Sequence, residues 1–318
     1  MNLKAAVSRG DELMSALNTV LEQISLVARN YGDGIVLEDV LLDWFEFLGG
    51  KPGEVVIVDA GSNPETQEIY WQLFKRGLID KLQIIQQDHE EQDFDRGYIQ
   101  TYTAAAIATK PYLLWFNIDT LPYRKGHEGW LEKSIGYLER EDVFAVGGSF
   151  NMPAKLRDAW EGWYFSYKCS LNFALMKRSV FMAAVDEYAG DYVASGFTSE
   201  NPAAVTNQER YMLEIALERY MERHNVYTLF KVEDPDWTVF HTNTHEQRLK
   251  LVRQRYRARK NIEQYMNAAF SDAPPDPSQA IYYGAPKDSL IKRLRIAVGR
   301  SQVGPYWRSL KQLLLQKG

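Results

Sequence analysis

Short apolar runs separated by helical patterns limit what this chain can fold into more than any other feature. Ile24–Ala28, Val55–Asp59, Leu82–Gln86 and Tyr112–Asn117 are runs of about strand length, several rich in β-branched or aromatic residues. Between the first two, Ile35 to Leu48 places Val36, Val40, Leu41, Trp44, Phe45 and Leu48 on one helical face, then stops at Gly49-Gly50 with Pro52 beyond. After the second run, Asn63 is placed to cap a helix, Pro64 suits its first position and Glu65 complements its positive end. Gly77 closes that helix after about Arg76. Strand, helix and strand in repetition predict an α/β domain with a mostly parallel sheet, whose ligands bind beyond the carboxyl ends of the strands.

After Val143–Gly147 the alternation weakens. An aromatic segment from Trp160 to Tyr167 leads into Ser170–Met176, and a helix carrying Tyr211, Leu213, Ile215, Leu217 and Tyr220 is expected from near Asn207. Val226–Val232 and Trp237–His241 read as strands, and the chain then turns polar and helical to about Ala269. A Pro-rich connector, Ala273 to Pro277, precedes a basic tail. The expected division is an N-terminal helix at 1–23, an α/β domain at 24–245 and a helical extension with the basic tail at 246–318.

Charge and cysteine usage narrow the function classes. The whole chain carries −5, yet Lys287 to Gly318 holds eight basic residues against Asp288, a net of +7 that leaves −12 on the rest. An acidic body argues against nucleic acid as its partner, and leaves the tail to contact an anionic membrane peripherally or to pack on the domain. The lone Cys169 excludes an intramolecular disulfide framework and points to a cytoplasmic setting. The N-terminal segment carries Asp11, Glu12 and Glu22 among its apolar residues, unlike a signal peptide. No apolar run approaches the ~20 residues that cross a bilayer.

Three strands end in polar residues: Ile24–Ala28 in Arg29-Asn30-Tyr31, Val55–Val58 in Asp59-Ala60-Gly61-Ser62-Asn63, and Tyr112–Phe116 in Asn117-Ile118-Asp119. Any one of these is what a turn requires. Their order and spacing, from about Ile24 to His245, resemble the nucleotide-sugar glycosyltransferases of GT-A fold, particularly the family 2 group. In that group a first strand ends in a short polar turn, a second in Asp-x-Gly-Ser and a third in an Asp-x-Asp signal. Asn117 departs from the pattern at the first acid.

The resemblance implies a uridine diphosphate sugar as donor, a hydroxyl-bearing glycan or other acceptor, and a Mn²⁺ or Mg²⁺ cofactor. Ala28, Arg29 and Asn30 would hold the nucleoside together with Asp59, whose carboxylate can accept from the uracil N–H, while Gly61 and Ser62 allow close backbone approach. Asn117 and Ile118 would border the nucleotide. Arg96 and Gly97, after the acidic run His89 to Asp95, fall where related enzymes open a helix near it. Asp119 would ligate the metal, and His241, after the last core strand, would be a second ligand. Glu209 would be the general base of an inverting transfer, with Glu200 and Asp191 as rivals.

Each assignment has a plainer counterpart: Asp59 as a turn former, His241 as a hydrogen-bonded surface group, Glu209 as an acid favoured by a helix N-terminus. His241 and His245 are four apart but lack the Cys or acid partners of familiar zinc motifs. Trp160, Trp163, Tyr164 and Tyr167 suit sugar stacking or, more ordinarily, core packing. A nucleotidyltransferase is the rival enzyme, disfavoured because no Gly-rich, basic loop follows the first strand. A non-catalytic nucleotide-sugar-binding module is the rival from another class.

Overall fold

The computed structural model describes residues 17–85, 94–124, 129–147, 155–160, 162–194, 213–231, 237–242 and 244–258. Its strands are β1 (Ile24–Asn30), β2 (Glu54–Asp59), β3 (Lys81–Ile84), β4 (Tyr112–Phe116), β5 (Thr120–Arg124), β6 (Val143–Gly147), β7 (Arg157–Asp158), β8 (Trp163–Ser166), β9 (Phe173–Lys177), β10 (Tyr227–Lys231) and β11 (Trp237–His241). Its helices are α1 (Gly34–Leu48), α2 (Pro64–Lys75), α3 (Phe94–Ile107), α4 (Trp130–Leu138), α5 (Arg178–Ala194), α6 (Leu213–His224) and α7 (Glu246–Arg257). Nine strands form one sheet in the order β3-β2-β1-β4-β9-β6-β10-β8-β7, and β11 pairs with β5 in a separate ribbon. Within the large sheet only β9 and β8 run against the others. The mostly parallel sheet flanked by helices, expected from the sequence, is what the chain forms.

Why the parallel strands are apolar throughout follows from burial on both faces. Side chains alternate along a strand. Val55 and Ile57 of β2, Leu26 and Ala28 of β1, and Leu114 and Phe116 of β4 join one core with α1, α2 and α4. Val56 and Val58, Val27, and Leu113 and Trp115 join the other with α3, α5 and α6. On the first face Trp44 of α1 is fully buried against Phe47, Phe116 and Phe173. Truncating such a side chain costs about 3–5 kcal/mol.

Local signals set several boundaries. Asn63 caps α2, its side chain accepting from the Thr66 N–H at 2.9 Å, with Pro64 inside the first turn. α1 ends at Gly49, whose φ of 85° lies in the left-handed region that glycine tolerates. α7 continues the core past the expected boundary at 245: Leu249 belongs to the first core, and the buried Asp43 of α1 receives Arg253 Nε at 2.6 Å. Burial pushes the Asp43 carboxyl up, against the pull of Arg253 and Arg257.

The sequence reading differs from the structure here: it named neither α4 nor α5, and it did not find β5 or β7. Residues 1–16 of the expected N-terminal helix lie outside the described residues, and 17–21 are helical. The connector and basic tail also lie outside them. Among the described residues no helix is long and apolar enough to cross a membrane.

Candidate functional site

Because β1 lies between β2 and β4 and all three run parallel, their polar ends emerge at one edge of the sheet. Asn30 and Asp59 are register partners there. Asp59 is fully buried, and both its oxygens are engaged inside the chain. Oδ2 accepts from the N–H of Gly61 at 3.0 Å and of Ser62 at 2.7 Å. Oδ1 accepts from Ser62 Oγ and from the Tyr70 hydroxyl, the latter at 3.0 Å. Gly61, with φ of 80°, makes the tight turn that lets two successive amides face one carboxylate.

Around this carboxylate the loop is closed by further bonds. Asn30 Nδ2 donates to the Tyr70 hydroxyl at 3.0 Å, and the Gly32 N–H donates to Ser62 Oγ at 2.8 Å. Burial, reinforced by the Asp59 charge, drives the Tyr70 hydroxyl far above its ordinary pKa, so it stays a donor. Gln100 of α3 donates to the carbonyls of Asn30 at 2.9 Å and Val58 at 3.0 Å, tying the helix to both strand ends. Ala28 is fully buried, and Arg29 sits half-buried beside it.

The third strand end leads to a second cluster. β4 turns at Asn117, where Thr120 N–H donates to the Asn117 carbonyl at 3.0 Å, and continues into β5. In the β5–β11 ribbon His241 is the register partner of Thr120. The next residue clasps the pair: Thr242 donates through both its N–H and its hydroxyl to the Asp119 carbonyl, each at 2.9 Å. His241 Nε2 thereby stands 2.9 Å from Asp119 Oδ2, their side chains 17% and 8% exposed. Asn172, just before β9, completes the cluster. Its Nδ2 donates to His241 Nδ1 at 3.4 Å, and its Oδ1 accepts from Asn117 Nδ2. Ile118 turns inward and belongs to the first core.

Can Asp119 and His241 hold a cation together? A ligand separation of about 3 Å is what neighbouring positions on an octahedral ion require when the bonds are about 2.1 Å. Carboxylate and imidazole are both competent donors for such ions. Among the described residues no group of three or more His, Cys, Asp or Glu side chains gathers at a metal site. Two protein ligands suit an ion that takes its remaining oxygens from a diphosphate and water.

His241 and His245 do not share a helix. His241 ends β11, and His245 precedes α7, its Nδ1 standing 2.8 Å from Asp33 Oδ2. Partial desolvation opposes the charged ring of His245. The hydrogen bond to Asp33 and the charges of Asp33, Asp119 and Glu246 outweigh it and raise the pKa. Asp33 also accepts from the Glu246 N–H at 2.6 Å, so the β1–α1 loop caps α7.

Arg96 and Gly97 fall in the first turn of α3. Glu209 and Glu200 lie outside the described residues, and Asp191 lies in α5. The aromatics from Trp160 to Tyr167 pack on one another and their neighbours: Trp160 and Trp163 on Tyr137, Tyr164 on Phe230, Tyr167 on Tyr227. Sequence reading missed Tyr70, Gln100 and Asn172. Tyr70 follows the Asn63 cap by two helical turns and Gln100 follows Gly97 by one, spacings that point back to the strand ends once the helices are known. Asn172 carries no local signal.

No protein-family model matches this chain, and no curated protein matches it. Solved structures do resemble it. A mannosyltransferase of Pyrobaculum calidifontis in complex with GDP-Man and Mn²⁺ is 16% identical over 59% of this chain and 50% of that one, with a TM-score of 0.38. S. aureus TarS, residues 1–349, is 13% identical over 67% and 61%, also at 0.38. GalNAc-T7 with UDP, GalNAc and Mn²⁺ is 12% identical over 86% and 54%, at 0.44. This chain spans between half and about three fifths of the length of those structures.

Proposed function

We propose that this protein is a metal-dependent glycosyltransferase that moves a sugar from a nucleoside diphosphate sugar donor to a hydroxyl acceptor. The observation that carries the reading is the Asp119–His241 pair, 2.9 Å apart and held at the sheet edge where the Asn30–Asp59 loop emerges. A loop that suits a nucleoside beside a pair that suits a divalent cation is what a diphosphate donor needs. Bound there, Mn²⁺ or Mg²⁺ would neutralise the diphosphate and ease departure of the nucleoside diphosphate. The imidazole ligand favours Mn²⁺.

The chain's own residues divide the remaining work. Asn30, Asp59, Gly61 and Ser62 shape the nucleoside side, with Arg29 and Ala28 beneath it and Arg96 and Gly97 at the start of α3 nearby. Asp59 then acts from beneath the loop, through the backbone it holds, and turns toward a uracil N–H only if the loop opens. The uridine preference rests on the resemblance of Asp59-Ala60-Gly61-Ser62. Glu209 is assigned the proton of the attacking hydroxyl, which makes the transfer inverting.

Calorimetric titration of uridine, guanosine and cytidine diphosphates with and without Mn²⁺ tests the reading. Uridine diphosphate should bind most tightly, and only with Mn²⁺ at full strength. Glu209→Gln should keep that binding and lose transfer by about 10²-fold or more. Absence of Mn²⁺-dependent binding of any of the three would sink the reading.

A further inference from the structure

The Asp119–His241 cluster contains a run of hydrogen bonds. Asn117 Nδ2 donates to Asn172 Oδ1, Asn172 Nδ2 donates to His241 Nδ1, and His241 Nε2 faces the acceptor Asp119 Oδ2. In the neutral ring the Asp119 carboxylate, which can only accept, places the proton on Nε2 and leaves Nδ1 to accept. That tautomer cannot ligate through Nε2. To do so the ring must carry its proton on Nδ1 instead, which turns Nδ1 from acceptor into donor.

The partners of Nδ1 decide whether that exchange is penalised. A donor N–H of Asn172 cannot remain facing Nδ1–H, so Asn172 must turn its amide over and offer Oδ1. Its Nδ2 then faces Asn117, which must turn over in the same way. A primary amide can do this without moving its neighbours, since oxygen and nitrogen simply exchange places. A run made of two amides is therefore satisfied in either direction. An aspartate at 117 would break that symmetry. It accepts only, so Asn172 Nδ2 would have to point to it, leaving Oδ1 for His241 and fixing the proton on Nδ1 before any cation arrives.

We propose that Asn117 and Asn172 are positioning residues for the His241 ring, and that an amide at 117, by allowing Asn172 either orientation, lets the ring exchange Nε2–H for Nδ1–H when a cation arrives instead of holding it in the ligating form beforehand. This rests on the cation reading above. It also gives the amide at position 117 a role of its own. A metal-ligand His whose other nitrogen loses its partner commonly costs about 10–100-fold in affinity.

The test separates tautomer from charge. Histidine ¹⁵N spectra of the metal-free protein at alkaline pH should show His241 protonated on Nε2 in the wild type and on Nδ1 in Asn117→Asp. In Asn117→Asp with Asn172→Leu the run is cut, so the ring should return to the Nε2–H form although the new charge remains. Free-Mn²⁺ electron paramagnetic resonance titrations should follow. Asn117→Asp should bind Mn²⁺ about tenfold more tightly than wild type, and Asn172→Leu about tenfold more weakly. Asn172→Asp, which offers an acceptor directly to Nδ1, should give the Nδ1–H form and serves if Asn172→Leu does not fold.

An unchanged tautomer in both Asn117→Asp and Asn172→Asp would overturn the proposal while leaving the cation site standing. So would an Nδ1–H ring in the double variant, because charge alone would then be the cause. Tautomers that shift as described in proteins that never bind Mn²⁺ would overturn the cation reading, and with it the exchange on cation arrival.

Discussion

The Asp59 loop and the Asp119–His241 cluster share one sheet edge but are built in opposite ways. Around Asp59 every polar partner is supplied by the chain over short sequence distances: Gly61, Ser62 and Tyr70 lie within eleven residues of it. The carboxylate is fully buried. Around Asp119 the partners are His241, at the end of β11, and Thr242 just after it, with Asn172 bonded in turn to His241, and the side chains of the pair keep some access to water. The first region is a finished scaffold whose charge is spent on shape. The second holds a carboxylate and an imidazole against each other, the arrangement on which the proposed cation site rests. Buried carboxylates at a sheet edge thus need not be ligands, and the less complete cluster is the one that reads as a site.

Breaking this contrast should produce its largest effect at Asp119. Asp119→Ala removes the anionic ligand and should abolish the Mn²⁺ contribution to nucleotide binding, about 4 kcal/mol or roughly 10³-fold, with little change in thermal stability. Calorimetry and melting curves check both halves. A large loss of stability with Mn²⁺-assisted binding intact would invert the comparison.

Asp59→Ala should do the reverse. It leaves two amides and two hydroxyls without an acceptor in a buried loop, which should lower unfolding free energy by about 3 kcal/mol in denaturant titrations. Nucleotide affinity should fall equally with and without Mn²⁺. If it falls only with Mn²⁺, the scaffold reading of Asp59 fails.

A smaller effect is expected at the opposite edge of the sheet, where Glu54 shows the scaffold pattern with no site attached. It accepts from Ser25 Oγ at 2.6 Å and from Thr109 N–H and Oγ1, each at 2.8 Å, with Lys81 Nζ at 2.8 Å. Burial alone would raise its pKa, but Lys81, Ser25 and Thr109 outweigh burial and lower it. The unfolded chain therefore binds a proton on Glu54 more readily than the folded one. Its contribution to stability is complete above the ordinary glutamate range and is lost as pH falls through the lowered value. Glu54→Gln should cost about 1 kcal/mol at neutral pH, and the difference from wild type should shrink in acid. A difference independent of pH would mean that the ionised form is not what the cluster stabilises.

Much of the first half was legible because its determinants are local. Asn63 and Pro64 announce α2, Gly49 ends α1, and the uniform apolarity of β1, β2 and β4 reports two buried faces. The rest depends on contacts between distant segments. β9 enters the sheet antiparallel between β4 and β6, an insertion that no periodicity in Phe173–Lys177 encodes. β5 contains Pro122, ordinarily a sign against a strand, and is accommodated because among the described residues it pairs with β11 alone. α5 spreads its apolar residues around the helix, with Phe181, Ala184 and Val185 buried and no clean stripe to read. The strand-end residues of the candidate site were visible as motifs, whereas Asn172 acquires its meaning only when β9 brings it beside His241.

The clasp between Thr242 and the Asp119 carbonyl joins residues 123 positions apart. Such a contact closes a long loop, and closures of that kind come late in folding. A chain emerging from its N-terminus can settle β1, β2 and β4 with the loop around Asp59 while His241 is still unmade. During synthesis the protein would therefore acquire the Asp59 loop well before it acquires the Asp119–His241 pair. A growing chain stopped before β11 would be folded in part and would still lack His241.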